Sequence, residues 1–286
     1  MALPVLAYYL LFHYQPMYGA IIAFKDFKPA KGILGSPWVG LKHFHTFFTG
    51  PYAFRLIRNT FLISFYELIF GFPAPLLLAI LLNEVLATRY KRMIQTLSYL
   101  PHFISLVVIC ALIKNFTAST GLVNDIIAFF FGKKARSTLL QDPSNFRTIY
   151  VVSGIWQGVG WGSIIYLAAI SKIDQQLYEA AIIDGAGRFA RMVHVTLPGI
   201  LPTIIIMLIL RMGSLMSVGF EKVFLLYNTG IYETADVIST YVYRRGIIDT
   251  DWSFSAAVGL FNSIVNFILV VTANFISRKV SETSLW

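Results

Sequence analysis

Tyr178–Pro198 reads YEAAIIDGAGRFARMVHVTLP, and it sits between two apolar blocks, 148–170 and 199–218. Ala180, Ala181, Ile182 and Ile183 predict the start of a short helix, Gly185 and Gly187 break it, and Phe189 to Val195 resume it. A polar connector between two membrane spans ordinarily carries no helical amphipathicity. A short helix, a turn and a second short helix at the membrane surface make a rigid knob. A bilayer protein that receives force from a soluble partner needs such a knob; the plainer alternative is a mere connector.

Outward from this stretch, apolar blocks of about 20 residues recur, the length a helix needs to cross a hydrocarbon core of ~30 Å. The 286 residues are 57% hydrophobic and 13% charged, against about 25% charged in soluble domains. We therefore expect an all-α membrane protein, one transmembrane domain over 1–286, with about six helices near 3–24, 59–82, 97–116, 148–170, 199–218 and 254–276. The connector 171–198 carries the knob. Pro73 and Pro75 should kink or unwind the second helix, because each removes a backbone donor. The third should open near Pro101. Gly121–Phe131 is apolar but too short to span, so an interfacial or re-entrant helix is expected. Gly154, Gly158 and Gly162 form a small-residue face on the fourth helix suited to close packing. The first block has no basic leader and no small-residue cleavage site before Lys25 and Asp26, so it reads as a retained helix.

The net charge of +9 lies between apolar blocks and forms no basic helix with interleaved aromatics, so no nucleic-acid partner is expected. Cys110 is the single cysteine, which excludes a disulfide framework. The histidines His13, His43, His45, His102 and His194 show no metal-ligand spacing with acidic partners. Gly132, Lys133 and Lys134 lack the leading glycine and spacing of a phosphate loop, and no nucleophile elbow occurs. No catalytic residue is assigned, no metal or cofactor is expected in this chain, and enzymatic chemistry is not expected of it.

Glu67 and Arg211 are ionisable groups at membrane depth, where an unpaired charge costs at least ~2.5 kcal/mol. They read either as pathway residues or as a structural ion pair. Ser255, Gly259, Asn262 and Asn266 make a small, polar stripe that either lines a cavity for a hydroxyl-rich solute or hydrogen-bonds a neighbouring helix. Trp156 and Trp161 could stack on a transported solute, although membrane helices more often use tryptophan for packing and anchoring. The polar segment Tyr227–Gly246, with Tyr232, Glu233, Asp236, Arg244 and Arg245, reads as a docking loop or as an ordinary solvated one.

The knob resembles the cytoplasmic loop of ABC importer permease subunits, whose pattern runs EAA, Gly, then a hydrophobic residue before Leu-Pro. The matching residues are Glu179, Ala180, Ala181, Gly185, Val195 (for the usual isoleucine), Leu197 and Pro198. Asp184 and Ala186 complete the DGA of the sugar-uptake group, with Gly187 following. PMYGAIIAFKDF (16–27), GSPWVGLKHF (35–44), GFPAPLLLAILLNEV (71–85) and YETADVISTYVYR (232–244) extend the resemblance to permeases for oligosaccharides, alginate-oligosaccharide importers among them. The resemblance implies the type I, maltose-importer-like fold and a multi-pass subunit of the bacterial cytoplasmic membrane. It also implies a coupling helix around Glu179 that docks on ATPase subunits.

The implied partners are two ATPase subunits holding ATP and Mg, a second permease (a different chain in preference to an identical copy), a solute-binding protein met through the 227–246 loop, a carbohydrate and the lipid bilayer. The rival class, an ion-gradient-driven secondary transporter or channel, would show inverted repeats and several acids at membrane depth. Only Glu67 meets that description. Counting positive charges with the N-terminus cytoplasmic places more of them outside, so the motif and not the charge sets the expected orientation.

Overall fold

The structure is a computed structural model that describes residues 2–132, 136–281 and 284; Lys133 and Lys134 lie outside the described residues. Among the described residues there is no strand, only an isolated bridge between Lys25 and Trp38. Five stretches are long and apolar enough to cross a bilayer: Ala53–Glu84, Leu106–Phe131, Phe146–Ile170, Arg188–Gly213 and Trp252–Lys279. The helical run 2–24 (α1) precedes them, so about six apolar helices stand as expected. Leucine and phenylalanine side chains are exposed along most of them, as they are where the solvent is lipid.

Lys42–Thr49 (α2) leads into Ala53–Glu84 (α3), which starts six residues before the predicted 59. Inside α3 the backbone widens to a π-turn at Glu67–Gly71, where the Phe72 N–H donates to the Glu67 carbonyl five residues back. Pro73 follows at once. A proline has no N–H and its ring crowds the carbonyl four residues earlier, so the helix is relieved by one wide turn instead of a break. The same arrangement recurs where Gln15 donates to Leu10 before Pro16, and where Leu197 donates to Met192 before Pro198.

The expected third helix is divided. Thr88–Tyr99 (α4) carries Arg89, Lys91 and Arg92 and begins nine residues before the predicted 97. A tight turn at Leu100–Phe103 and extended Ile104 follow Pro101, and the apolar helix resumes as Leu106–Thr117 (α5). Leu122–Phe131 (α6), the second part of the stretch that starts at Leu106, rises about 15 Å by itself. Wholly buried Asn124 fixes the turn between α5 and α6, its Nδ2 donating to the Ala118 and Ser137 carbonyls at 2.7 Å each.

Phe146–Ile170 (α7) is the central helix and packs along α3 and across α4. A Cβ on Gly160 would come within 2.2 Å of the Ser98 carbonyl oxygen, and one on Gly162 within 2.9 Å of Pro75 Cγ. Gly158 has nothing within 4 Å, so the glycine face divides between close packing and open space. Gln175–Ile183 (α8) is the knob, and Arg188–Gly213 (α9) is the fifth span, beginning eleven residues before the predicted 199 and ending five before 218.

The segment expected as a long polar loop folds into Phe220–Leu226 (α10), Tyr232–Ala235 and Ile238–Tyr243 (α11) before Trp252–Ser281 (α12). One apolar core, with Ile63, Phe146, Val223 and Ile231, holds the end of the bundle that carries this segment. Another, with Ala79, Tyr166 and Ile200, holds the end that carries α8.

Candidate functional site

At the α8 end the sequence builds a capped helix and a stop. Asp174 caps α8 by accepting from the Gln176 N–H at 2.9 Å. At the other end Gly185 adopts φ +78°, its N–H donating to Ile182 and the Ala186 N–H to Ala181. These paired bonds are a Schellman closure, which puts a left-handed residue just after the helix and so favours glycine. Asp184 is the last residue before it, its N–H donating to Ala180, and Gly187 begins α9 with extended backbone. Ala180–Ile183 is thus the second half of α8 and not its start, since the Asp174 cap sets the beginning at Gln175.

Glu179 is exposed, and so are Leu177, Ile182, Ile183 and Phe189, Ile183 at 85%. α8 is tied to α9 where the Tyr178 hydroxyl meets Thr196 Oγ1 at 2.9 Å, within the π-turn that ends at Leu197 and Pro198.

In the middle of the bundle a cavity of about 440 Å³ opens between α3, α7 and α9. Glu67, Gly158, Tyr166 and Arg211 are among its lining residues. Arg211 Nη2 donates to Glu67 Oε2 at 2.5 Å, so the two expected pathway residues form an ion pair on the cavity wall. Beside it is Lys222 of α10, only 7% exposed. Its Nζ donates to the Tyr150 carbonyl at 2.8 Å and lies 4.6 Å from the Tyr150 ring centroid. A Cβ on Gly154 would touch both Lys222 Nζ and Glu67 Oε1, at 3.2 and 3.7 Å. Burial pulls the Lys222 ammonium down to about 8, against the attraction of Glu67.

At the end opposite α8, Asp236, one of the expected docking residues, is fully buried. Arg244 Nη2 donates to its two carboxylate oxygens at 2.8 and 2.6 Å, Thr240 Oγ1 at 2.9 Å and Arg55 Nη2 at 3.4 Å. Burial works against the Arg244 charge, yet its bonds to Asp236 raise its pKa overall. Arg244 also covers the Tyr232 ring at 4.7 Å, and burial raises the Tyr232 phenol. Glu233 is exposed while its carbonyl accepts from Asn59. Arg245 pairs with Asp249 and Asp251. The expected docking loop is therefore a folded cap stitched to α3.

The remaining candidates part company. Asn266 is satisfied within the fold, its Oδ1 accepting from the Met216 N–H at 2.8 Å and its Nδ2 donating to Ser217. Asn262, Ser255 and Gly259 line a separate, mostly apolar groove against α10 and α11. Trp156 faces a groove beside α5 and α6, away from the Glu67–Arg211 cavity, and Trp161 stacks on His102 at 4.6 Å. Among the described residues no group of His, Cys, Asp or Glu is arranged to hold a metal ion. Lys222 and the cations Arg58 and Arg147 were not anticipated. The one signal was a lysine inside the apolar run FEKVFLL.

Apolar spans around a mostly apolar cavity that holds one ion pair, with a helical knob standing clear of them, define the membrane-spanning subunit of a transporter. Residues 71–282 match the model of the binding-protein-dependent transport system inner membrane component, and the chain belongs to that family. Protein LplB of Bacillus subtilis (strain 168) is 47% identical over 285 residues, covering 99% of this chain and 89% of that protein. The polygalacturonan/rhamnogalacturonan transport system permease protein YteP of the same strain is 46% identical over 287 residues, covering 100% and 89%. A solved bacterial alginate ABC transporter, in complex with an alginate pentasaccharide-bound periplasmic protein, contains a chain that superposes with TM-score 0.91. That chain is 42% identical, over 99% of this chain and 94% of its own length.

Proposed function

We propose that the chain forms half of the pathway of an ABC importer for oligosaccharides, carboxylated ones in particular, and that α8 receives the stroke of separate ATPase subunits. The relative named for polygalacturonan and the neighbour that imports the acidic polysaccharide alginate support the substrate class. The observation that carries the coupling role is the exposed apolar face of α8, with Ile182 and Ile183 standing off the bundle in a motif that matches the family's loop. Glu179 to Gly187 docks on the ATPase, and Leu197 and Pro198 pass the movement into α9. The cavity of Glu67 and Arg211 opens alternately to either side.

Two ATPase subunits bind ATP and Mg, a second permease of different sequence supplies the other half, and a solute-binding protein delivers the sugar at the cap. Membership of a binding-protein-dependent family disfavours the gradient-driven alternative. The test is uptake of a galacturonate oligosaccharide by the assembly in proteoliposomes. Uptake requires ATP and the ATPases, and a cysteine at Ile183 cross-links to the ATPase. Uptake by this chain alone, or a cross-link only from the opposite face of the bilayer, overturns the reading.

A further inference from the structure

Near the cap, the cavity-bearing helix α7 carries a cation that makes no ion pair. Arg147, in its first turn, forms no ion pair among the described residues. Its Nη2 donates to Asn59 Oδ1 at 2.9 Å, and its Nε is buried without a partner. Asn59 is wholly buried and fixed by the carbonyls of Glu233 and Asp236, at 2.9 and 3.0 Å. A neutral, immobile acceptor thus aims the guanidinium, and Glu233 attracts it without forming an ion pair. Arg58 adds to it: its Nη2 reaches only the Glu233 carbonyl at 3.3 Å, its Nε too is buried without a partner, and the two guanidiniums repel one another.

Arg147 forms part of the wall of a cavity of about 450 Å³ with Tyr66, Phe70, Ser144 and Thr148. Val151 and Ile155 separate this cavity from that of Glu67 and Arg211, since both residues line both. Two aromatic rings, the hydroxyls of Tyr66, Thr148 and Ser144, the last already donating to Asp142, and a guanidinium without an ion pair suit a carboxylated sugar: rings for its faces, hydroxyls for its own, a planar fork for a carboxylate.

We infer that Arg147 is a carboxylate-recognition residue at the outer mouth of the pathway, holding a uronate group before the saccharide reaches the Glu67–Arg211 cavity. The inference rests on the reading of the chain as an importer of carboxylated oligosaccharides.

The test uses the full assembly in proteoliposomes with two probes, a galacturonate trisaccharide and its carboxyl-reduced counterpart. Arg147→Ala raises KM for the uronate about tenfold, the worth of one charge-assisted hydrogen bond, with Vmax unchanged and the reduced sugar unaffected. Arg147→Lys, which keeps the charge but not the fork, lies between. Where Arg147→Ala fails to assemble, Arg147→Gln, with its amide donors toward Asn59, is read in its place. Equal losses for both probes, as from a structural role or a partner subunit's carboxylate, overturn the inference, and so does no change. A wild-type assembly that does not take up the uronate overturns the importer reading itself.

Discussion

Arg211 Nη2 and Glu67 Oε2 meet at 2.5 Å although 144 residues separate them in the chain. The pair joins the second and fifth spans across the cavity, at the residue where α3 widens into its π-turn. Each side chain keeps some exposure, 33% and 23%, so water in the cavity screens the pair. Lys222 beside it leaves the cluster one positive charge in excess.

Removing one member of the pair strands the other beside a wall that is mostly apolar. Glu67→Ala leaves Arg211 and Lys222 to repel each other, and the detergent-solubilised assembly is destabilised by about 1 kcal/mol, discounted for water in the cavity. Glu67→Arg combined with Arg211→Glu recovers most of that loss. A double-mutant cycle on melting temperature checks it; additive effects show that the contact carries no coupling.

Gly185 has open space around it, so a substitution there acts through backbone strain alone. Its φ of +78° costs a residue with a Cβ about 1–2 kcal/mol. Gly185→Val therefore opens the end of α8 and abolishes ATPase stimulation, with insertion and melting of the span bundle unchanged. Gly185→Asn, which tolerates this conformation better, keeps most of the stimulation. Equal ATPase rates for the two variants contradict this.

Pro198 maintains the wide turn Met192–Thr196 between α8 and the body of α9. With Pro198→Ala the turn can close to ordinary α-helix, which rotates the chain before it by about 100° relative to the chain after it, one residue's share of a turn. Spin labels on α8 and at the far end of α9 register a changed distance, and ATP hydrolysis runs on without uptake. An unchanged distance shows that packing, not the proline, holds the turn open.

Lys222 imposes a pH dependence of known sign. Its folded value of about 8 lies below the ordinary 10.5, because burial disfavours the charge. Between pH 8 and 10.5 the unfolded chain holds a proton there that the folded chain has lost, so stability rises with pH across this window. The gain of wild type relative to Lys222→Met, measured as melting temperature from about pH 7 to 10.5, is absent at the low end and grows through the window. A flat difference contradicts the burial argument.

The spans were legible because a bilayer imposes a length on apolar sequence, and the α8 motif because helix former, glycine and Leu-Pro are spaced as the turn requires. Boundaries were misread where prolines act. Pro101 divided the expected third helix, whereas Pro198 widened the fifth and let it extend back to Arg188. Both depend on which carbonyls the surroundings satisfy. The Asp236 cluster was hidden for another reason: Arg55 lies 181 residues away, and in sequence Asp236 is one charge among tyrosines. Asn266 stood open between lining a cavity and bonding a neighbouring helix because the type of residue does not disclose that Met216 and Ser217 already occupy it.

The stitching of the cap to α3 by Asp236, Arg55 and Asn59 divides the second span into two mechanical parts. The portion before Glu67 is anchored like a stator, since moving it would drag the whole cap along. The portion after Pro73 has no such tether and packs on the α8 side of the bundle. Glu67 stands at the fulcrum, so a small tilt of the free arm is felt first at its grip on Arg211.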